Sequence, residues 1–152
     1  MEIIPEIHLN KGYSGFPFGA SSESAVLHFG PPEETQELND ELLDNAVVYH
    51  YWSKGFSLFF DPQRNMVFTS VETDNADTRL FNVHLFQLRE KELVALLQQN
   101  GFKMTDSETH EWGEKRVSFD GAGLDCYFEN HRLISVNFSR TETPLPLPYS
   151  PN

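Results

Sequence analysis

Side chains capable of acid–base, nucleophilic or metal-binding chemistry are scattered along this chain. Its six histidines are His8, His28, His50, His84, His110 and His131. No two of them have His-x-x-x-His spacing, and the single Cys126 has no second cysteine to pair with, so no zinc site is predicted. The chain also lacks a glycine-rich phosphate loop and a Gly-x-Ser-x-Gly elbow. We therefore expect no catalytic residue, no metal site and no cofactor.

Four residues could still take part in catalysis, but each has a simpler structural explanation. Cys126 lies on the apolar side of a predicted strand, where a buried structural thiol is common. His50 lies between two tyrosines and is expected to be a hydrogen-bonded strand residue. Asp61 and Glu129 end two predicted strands, where carboxylates commonly accept hydrogen bonds from turn N–H groups.

The charge of the chain favours binding to a basic partner. Its 23 Asp and Glu residues against 11 Lys and Arg residues give a formal net charge of −12. Nucleic acids and anionic membranes attract clustered Lys and Arg, so this charge argues against both as partners. A strongly acidic protein stays soluble and associates readily with basic proteins.

The densest acidic stretch is Glu33–Asn45, which has six carboxylates and no Lys or Arg. We expect a short helix or a loop here, with Leu38, Leu42 and Leu43 facing inward. The stretch is either a solvated segment without a role or an acidic contact surface. Together with two residues of the following strand it supplies the candidate partner-binding residues, which are Glu33, Glu34, Glu37, Asp40, Glu41, Asp44, His50 and Trp52.

Three predicted strands in succession position these candidates. They are Val47–Trp52, Phe56–Asp61 and Met66–Val71, separated by turns that contain Gly or Pro. Alternation leaves two phases open, because a shift of one residue moves every side chain to the other face. If Tyr49 and Tyr51 face the core, His50 and Trp52 face away from it.

The remaining elements follow from similar patterns. Two helices are predicted, at Ser22–Phe29 and Leu88–Asn100, the first stopped by Gly30 and the second by Gly101. We expect an edge strand within Met1–Leu9, because Pro5 cannot donate to a ladder. A polar linker is predicted at 72–79 and a polar segment at 105–113. Further strands are predicted at Leu80–Phe86, Lys115–Asp120, Leu124–Glu129 and Leu133–Phe138.

The order of these elements recurs at an offset of 68 residues, which places Val26 on Val94 and Gly55 on Gly123. The sequence therefore predicts one α+β domain over 1–152, made of two tandem strand–helix–three-strand repeats. The repeats span about 10–73 and 80–140, and a Pro-rich tail occupies 141–152. We expect one antiparallel sheet with the two main helices packed on one face. The other face is left for solvent, a partner or a second copy.

The first repeat resembles a recurrent bacterial pattern. The residues that carry the resemblance are Phe18–Ser21 (FGAS), Val26, Phe29–Pro32 (FGPP) and the strands at Tyr49–Trp52 and Phe56–Asp61. This pattern is similar to the β-lactamase-inhibitor-protein-like repeat and to the small lipoproteins of outer-membrane assembly. It covers roughly residues 15–72, and the second half only through the duplication. A looser likeness is to acidic immunity proteins of bacterial toxin systems.

The resemblance implies that such tandem sheets bind proteins. The chain departs from the lipoproteins in lacking a lipidated cysteine and an export signal, and from secreted inhibitors in lacking disulfides. Since its N-terminus also has no signal-peptide pattern, we expect a cytoplasmic protein.

We predict a non-enzymatic protein-binding module, and more specifically an immunity or inhibitor-type protein for a basic partner. One alternative is a small-ligand-binding or enzymatic domain with a cleft between the repeats, near His50, Trp52 and Asp61. Another is a structural homodimer that buries the sheet face.

Overall fold

Two helices and two sheets make up the α+β fold of the computed structural model, which describes residues 4–39 and 45–141. The helices are Ser22–Phe29 (α1) and Glu90–Gln99 (α2). The strands in chain order are Glu6–His8 (β1), Gly12–Tyr13 (β2), Phe16–Pro17 (β3), Glu34–Leu38 (β4), Ala46–Tyr51 (β5), Phe56–Asp61 (β6), Val67–Thr73 (β7), Arg79–Leu80 (β8), Val83–His84 (β9), Asp106–Thr109 (β10), Glu114–Phe119 (β11), Leu124–Glu129 (β12) and Arg132–Ser139 (β13).

The larger sheet has eight strands in the order β10-β11-β12-β13-β7-β6-β5-β4, and all its neighbours are antiparallel. Its centre is the pairing of β13 with β7, where Val136 opposes Thr73 and Phe138 opposes Val71. The smaller sheet has five short strands in the order β3-β2-β1-β8-β9, and its β1 and β8 are parallel. The two halves of the chain therefore meet in both sheets.

One face of the larger sheet is covered and apolar. A row of opposed residues that crosses six strands on this face consists of Tyr51, Phe56, Thr73, Val136, Cys126 and Val117. These side chains are all buried, since each is at most 5% exposed. The apolar members of the row join the inward residues of both helices and of the smaller sheet in one hydrophobic cluster. Both helices therefore contribute to the core on this side.

Capping and packing fix α1 against the sheet. The Ser21 hydroxyl accepts a hydrogen bond from the Ser24 amide at 3.2 Å, and Gly30 ends the helix at φ 89°. The Phe29 ring contacts Tyr51 at a centroid distance of 5.7 Å. The Tyr51 hydroxyl donates to the Gly30 carbonyl at 3.0 Å, and burial raises the pKa of Tyr51 to about 12. Helix α1 is thus tied directly to β5.

Helix α2 begins with a side-chain cap of its own. The Glu92 carboxylate accepts a hydrogen bond from the Arg89 amide at 2.8 Å, as in a capping box. Leu93 and Leu97, one helical turn apart, are completely buried and form its inward stripe.

Several predictions of the sequence are confirmed. The fold is α+β, and the strands Phe56–Asp61 and Leu124–Glu129 lie where alternation places them. Helix α1 has its predicted bounds, and α2 lies inside its predicted range. Of the two possible orientations of β5, the structure has the one in which Tyr51 faces the core. His50 therefore lies on the opposite side of β5.

The prediction of a helix or loop at Glu33–Asn45 is wrong, since Glu34–Leu38 forms strand β4. Every residue of β4 is exposed, so its sequence has no alternating apolar pattern that would predict a strand. The strand exists because its backbone pairs with β5 along the sheet edge. The same reason applies to Asp106–Thr109, which forms the opposite edge strand in a segment expected only to be polar. Residues 40–44 lie outside the described part of the chain.

The expected single sheet is also wrong, because short strands at the start of each half form the second sheet. The predicted strand Leu80–Phe86 is broken by a turn at Phe81 and Asn82, both with positive φ. The predicted edge strand near the N-terminus lies inside the smaller sheet, between β2 and β8. Pro5 precedes this strand, and its carbonyl accepts a hydrogen bond from the Arg79 amide at 2.8 Å, so the missing proline N–H is not needed.

The predicted linker at 72–79 is shorter than expected. Strand β7 continues to Thr73, and β8 begins at Arg79. The Thr73 and Thr78 hydroxyls, 3.2 Å apart, lie in the buried interior, so the connecting turn is anchored in the core.

Irregular features occur at corresponding points of the two halves. A register shift lies between Phe59 and Phe60 in β6, and another between Tyr127 and Phe128 in β12. Each strand is preceded by a 3-10 turn and a glycine in the left-handed conformation, which is Gly55 in one half and Gly123 in the other. The carbonyls of these two glycines accept hydrogen bonds from Asp74 and Ser139 respectively, both at 2.9 Å.

The close approach at Gly123 predicts a large loss of stability for Gly123→Ala. A Cβ at Gly123, where φ is +65°, would lie 2.2 Å from the Ser139 carbonyl oxygen, whereas at Gly101, φ +90°, no described atom lies within 4 Å. Gly101→Ala should cost only the left-handed strain of about 1 kcal/mol, and Gly123→Ala at least about 3 kcal/mol. Urea unfolding followed by circular dichroism measures both, and equal losses would contradict the contact.

Candidate functional site

The second face of the larger sheet is mainly polar, although Val48 and Phe59 also lie on it. A row of opposed residues crosses all eight strands on this face, and its members are Glu34, His50, Ser57, Glu72, Asn137, Asp125, Ser118 and Asp106. Four of these eight side chains are carboxylates and none belongs to Lys or Arg. We call the side of the sheet that bears this row the open face.

His50 is held in place by three neighbours. Its Nε2 lies 2.9 Å from the Gln36 amide oxygen, which can only accept, so Nε2 carries a proton and donates. Its Nδ1 lies 2.7 Å from the Ser57 hydroxyl. The ring stacks on Trp52 at a centroid distance of 4.1 Å and an angle of 10°. Both ring nitrogens are engaged and the residue is 8% exposed, so these contacts fix the imidazole against Trp52.

Trp52 is fixed and yet accessible. Its Nε1 donates to the Glu34 carboxylate at 3.2 Å, and one face of the indole is covered by His50. The residue remains 58% exposed, so the other indole face is open to a ligand or partner. A rigid, exposed aromatic side chain of this kind is a common anchor in protein interfaces.

The structure divides the predicted candidates into three groups. Glu34, His50 and Trp52 are brought together on the open face, as described above. Glu37 opposes Val47 and so lies on the other side of β4, while the Glu33 carboxylate accepts hydrogen bonds from the Ser53 amide and hydroxyl at 2.9 and 3.0 Å. Asp40, Glu41 and Asp44 lie outside the described residues.

Asp61, which the small-ligand alternative placed with His50 and Trp52, is not brought together with them. Asp61 lies four residues beyond Ser57 along β6, at the far end of the strand from His50. Its carboxylate accepts a hydrogen bond from the Gln63 amide at 2.9 Å and so caps the following turn.

On the β10–β12 side of the open face, one cation balances the acidic residues. The Arg116 guanidinium lies 2.9 Å from Asp106, 3.9 Å from Glu108 and 4.0 Å from Asp125. It also donates to the Ser118 hydroxyl. The hydrogen bond from Arg116 lowers the pKa of Asp106. Sequence reasoning missed this group, although the alternation of polar residues in Asp106-x-Glu108 and Arg116-x-Ser118 is a signal of an exposed strand face.

The carboxylates beside Trp52 have no such cation. A depression of about 190 Å³ here, which we call the Trp52 depression, is lined by Trp52, Gly55, Phe56, Ser57, Glu72, Asp74 and Ser135. Glu72 and Asp74 are exposed, and in the described part of the chain neither carboxylate has a hydrogen-bonding or ionic partner. Sequence reasoning missed these residues because both fall within 72–79, the predicted polar linker.

Cys126 and the other potentially reactive side chains do not form a catalytic or metal site. Cys126 is completely buried, and burial raises the pKa of its thiol, which is the opposite of what a nucleophile needs. Over the described ranges, no three His, Cys, Asp or Glu side chains are grouped so that they could hold a metal ion. A separate cavity of about 300 Å³ is lined by Pro5, Tyr13, Ser14, Ser53, Lys54, Phe56 and Asn75.

The sequence matches no family model and no curated protein. Among solved structures, the chain is similar to a DUF4309 family protein (YjgB) from Bacillus subtilis subsp. subtilis str. 168, with 15% identity, a TM-score of 0.50, and coverage of 84% of this chain and 83% of that chain. This likeness concerns the fold alone.

A second solved structure is an extracellular protein containing a SCP domain from Bacillus anthracis str. Ames. The identity is 12% and the TM-score 0.49, over 80% of this chain and 43% of that chain, so this chain spans less than half of that protein's length. Neither helix of the described residues is long and apolar enough to cross a membrane.

The burial of Cys126 predicts that its thiol is protected in the folded protein. With a thiol-reactive chromogenic disulfide at mildly alkaline pH, native protein should show almost no reaction, because the thiolate is both desolvated and inaccessible. Addition of concentrated urea should release one equivalent of chromophore. Rapid reaction of the native protein would contradict the buried placement.

The His50–Ser57 hydrogen bond predicts non-additive stability changes. His50→Phe leaves the buried Ser57 hydroxyl without its partner and should cost about 1–3 kcal/mol. Adding Ser57→Ala removes the unpaired hydroxyl. The double variant should therefore lose about 1 kcal/mol less stability than the sum of the two single losses. Urea denaturation of the three variants and the wild type measures this coupling, and additive losses would exclude the hydrogen bond as a stabilising contact.

Proposed function

We propose that this protein is a non-enzymatic module that binds a basic protein through the open face. The observation that carries the proposal is the row of eight opposed side chains with four carboxylates and no Lys or Arg. A net charge of −12 adds a long-range field that attracts the same kind of partner. Opposite charges of this kind raise association rates and select partners.

The dimensions of the open face favour a macromolecule over a small ligand. Eight strands at about 4.8 Å spacing form a surface roughly 34 Å across. Such a surface can supply the roughly 800 Å² that each partner contributes to a standard interface. Trp52 provides an exposed aromatic anchor near one edge of it.

We also propose that the sheet arose by duplication of one half. Support comes from the corresponding register shifts in β6 and β12 and from the left-handed Gly55 and Gly123. Support also comes from strand order, since each half contributes four consecutive strands that meet at β7 and β13. A tandem sheet of this kind agrees with the likeness to β-lactamase-inhibitor-protein-like repeats. A cytoplasmic immunity or inhibitor-type role is the more specific form of the proposal.

Binding through this face predicts a strong dependence on salt and on the charge of the face. A partner captured from the source cell and purified should bind the wild type with a dissociation constant at least about five-fold weaker near 0.5 M salt than at low ionic strength. Asp106→Lys with Asp125→Lys should weaken binding further. Calorimetric titration measures both effects.

The matched control is Glu23→Lys with Glu37→Lys, which changes net charge equally but alters α1 and the opposite side of β4. Equal weakening of partner binding by the control pair would show that net charge alone, and not the open face, determines the affinity. Binding that is indifferent to salt and to the Asp106 and Asp125 changes would contradict the proposal. Circular dichroism verifies that each variant is folded.

A further inference from the structure

We infer that the Trp52 depression is the subsite that receives an arginine side chain of the basic partner. The inference rests on the proposed function and deepens it by naming the group recognised. It is carried by three observations, which are an accessible indole face, two carboxylates without a cation, and a rigid frame around the concavity.

The indole provides a flat surface for a guanidinium group. Stacking on His50 covers one face of Trp52, and the residue is nevertheless 58% exposed and lines the depression. A guanidinium stacked on an indole gains about 0.5–2 kcal/mol, depending on how far it is desolvated.

The charge on the open face is uneven, and its unbalanced part lies in this depression. Arg116 approaches three carboxylates on the β10–β12 side of the sheet within 4.0 Å. Glu72 and Asp74 contact no cation in the described part of the chain, although both are exposed and border the depression. A positive group brought by a partner therefore meets its strongest uncompensated attraction here.

The frame of the depression is pre-organised. Trp52 begins a 3-10 turn that ends at Gly55 with φ 77°, and the Glu33 carboxylate holds the Ser53 amide within that turn. The Trp52 Nε1 is itself held by Glu34 at 3.2 Å. Because these contacts fix the indole before binding, little side-chain entropy is lost when a ligand docks.

Arginine fits this chemistry better than other cations. A divalent metal requires several oxygen ligands converging at short distances, and across the described residues no group of three acidic, His or Cys side chains does so. A guanidinium both stacks on aromatic rings and donates to carboxylates in a planar fork, whereas an ammonium is a compact, strongly hydrated charge. A second copy of the chain is disfavoured, because a two-fold contact would bring two acidic open faces together.

The protein's two tryptophans make a direct test available, since their indole N–H groups give two separate nuclear magnetic resonance signals. The probe is acetyl-Gly-Arg-Gly-amide, titrated into full-length, nitrogen-15-labelled protein. We expect a saturable shift of the Trp52 signal while the Trp112 signal stays in place. The same peptide with citrulline, which keeps the shape but loses the charge, should produce a shift at least five-fold smaller at equal concentration.

The variant Glu72→Gln with Asp74→Asn should weaken peptide binding at least five-fold. Its matched control, Glu23→Gln with Glu37→Gln, removes the same charge elsewhere and should change the dissociation constant less than two-fold. Both pairs lie at exposed positions, so the fold should be retained. Equal shifts with citrulline, equal shifts of Trp112, or equal weakening by the control pair would each overturn the inference.

Failure of this inference is distinguishable from failure of the proposed function. If the peptide does not shift Trp52 but the partner still loses affinity for Asp106→Lys with Asp125→Lys, the subsite is wrong and the open face remains the binding surface. Sedimentation velocity supplies one further outcome. Self-association that disappears in Glu72→Gln with Asp74→Asn would assign the depression to a second copy and overturn the arginine subsite.

Discussion

The antiparallel pairing of β7 with β13 is the contact on which the rest of the structure depends. Each half of the chain contributes four strands, and only this pairing joins them into one ladder of eight. Because opposed residues in an antiparallel ladder point to the same side, the pairing aligns the alternation of both halves. It places the buried row that contains Tyr51 and Val136 on the covered side, and the acidic row that contains Glu72 and Asp125 on the open face. A slip of one residue here would invert the alternation of one half relative to the other.

The proposed binding surface follows from this alignment and from one local asymmetry. On one side of the open face Arg116 balances Asp106 and its acidic neighbours, while on the other side Glu72 and Asp74 are left beside an exposed indole. The covered face supplies the hydrophobic core of the fold, whereas the open face carries polar and charged groups. Charge and shape together are the grounds on which we propose a basic protein partner.

Much of the covered face could be predicted from the sequence, and little of the open face. Alternation located β6 and β12, because a buried side leaves a periodic apolar signal in the chain. Strands β4 and β10 have only exposed side chains, so their pairing partners, and not their own composition, make them strands. The depression joins residues as distant as Trp52 and Ser135, and only the β7–β13 register brings them together. His50 and Trp52 could be proposed as site residues from their residue types. The hydrogen bonds that Gln36 and Ser57 make to His50 could be found only in the structure.

The most direct measurement is hydroxyl-radical footprinting of the protein alone and in complex with its purified partner, analysed by mass spectrometry. Trp52 and Tyr127, which opposes Arg116 in the ladder, report on the open face, and Leu27 of α1, which is 90% exposed, reports on the helix side. We expect the complex to protect Trp52 and Tyr127 while the oxidation of Leu27 is unchanged. Protection of Leu27 with Trp52 oxidised as in the free protein would contradict it.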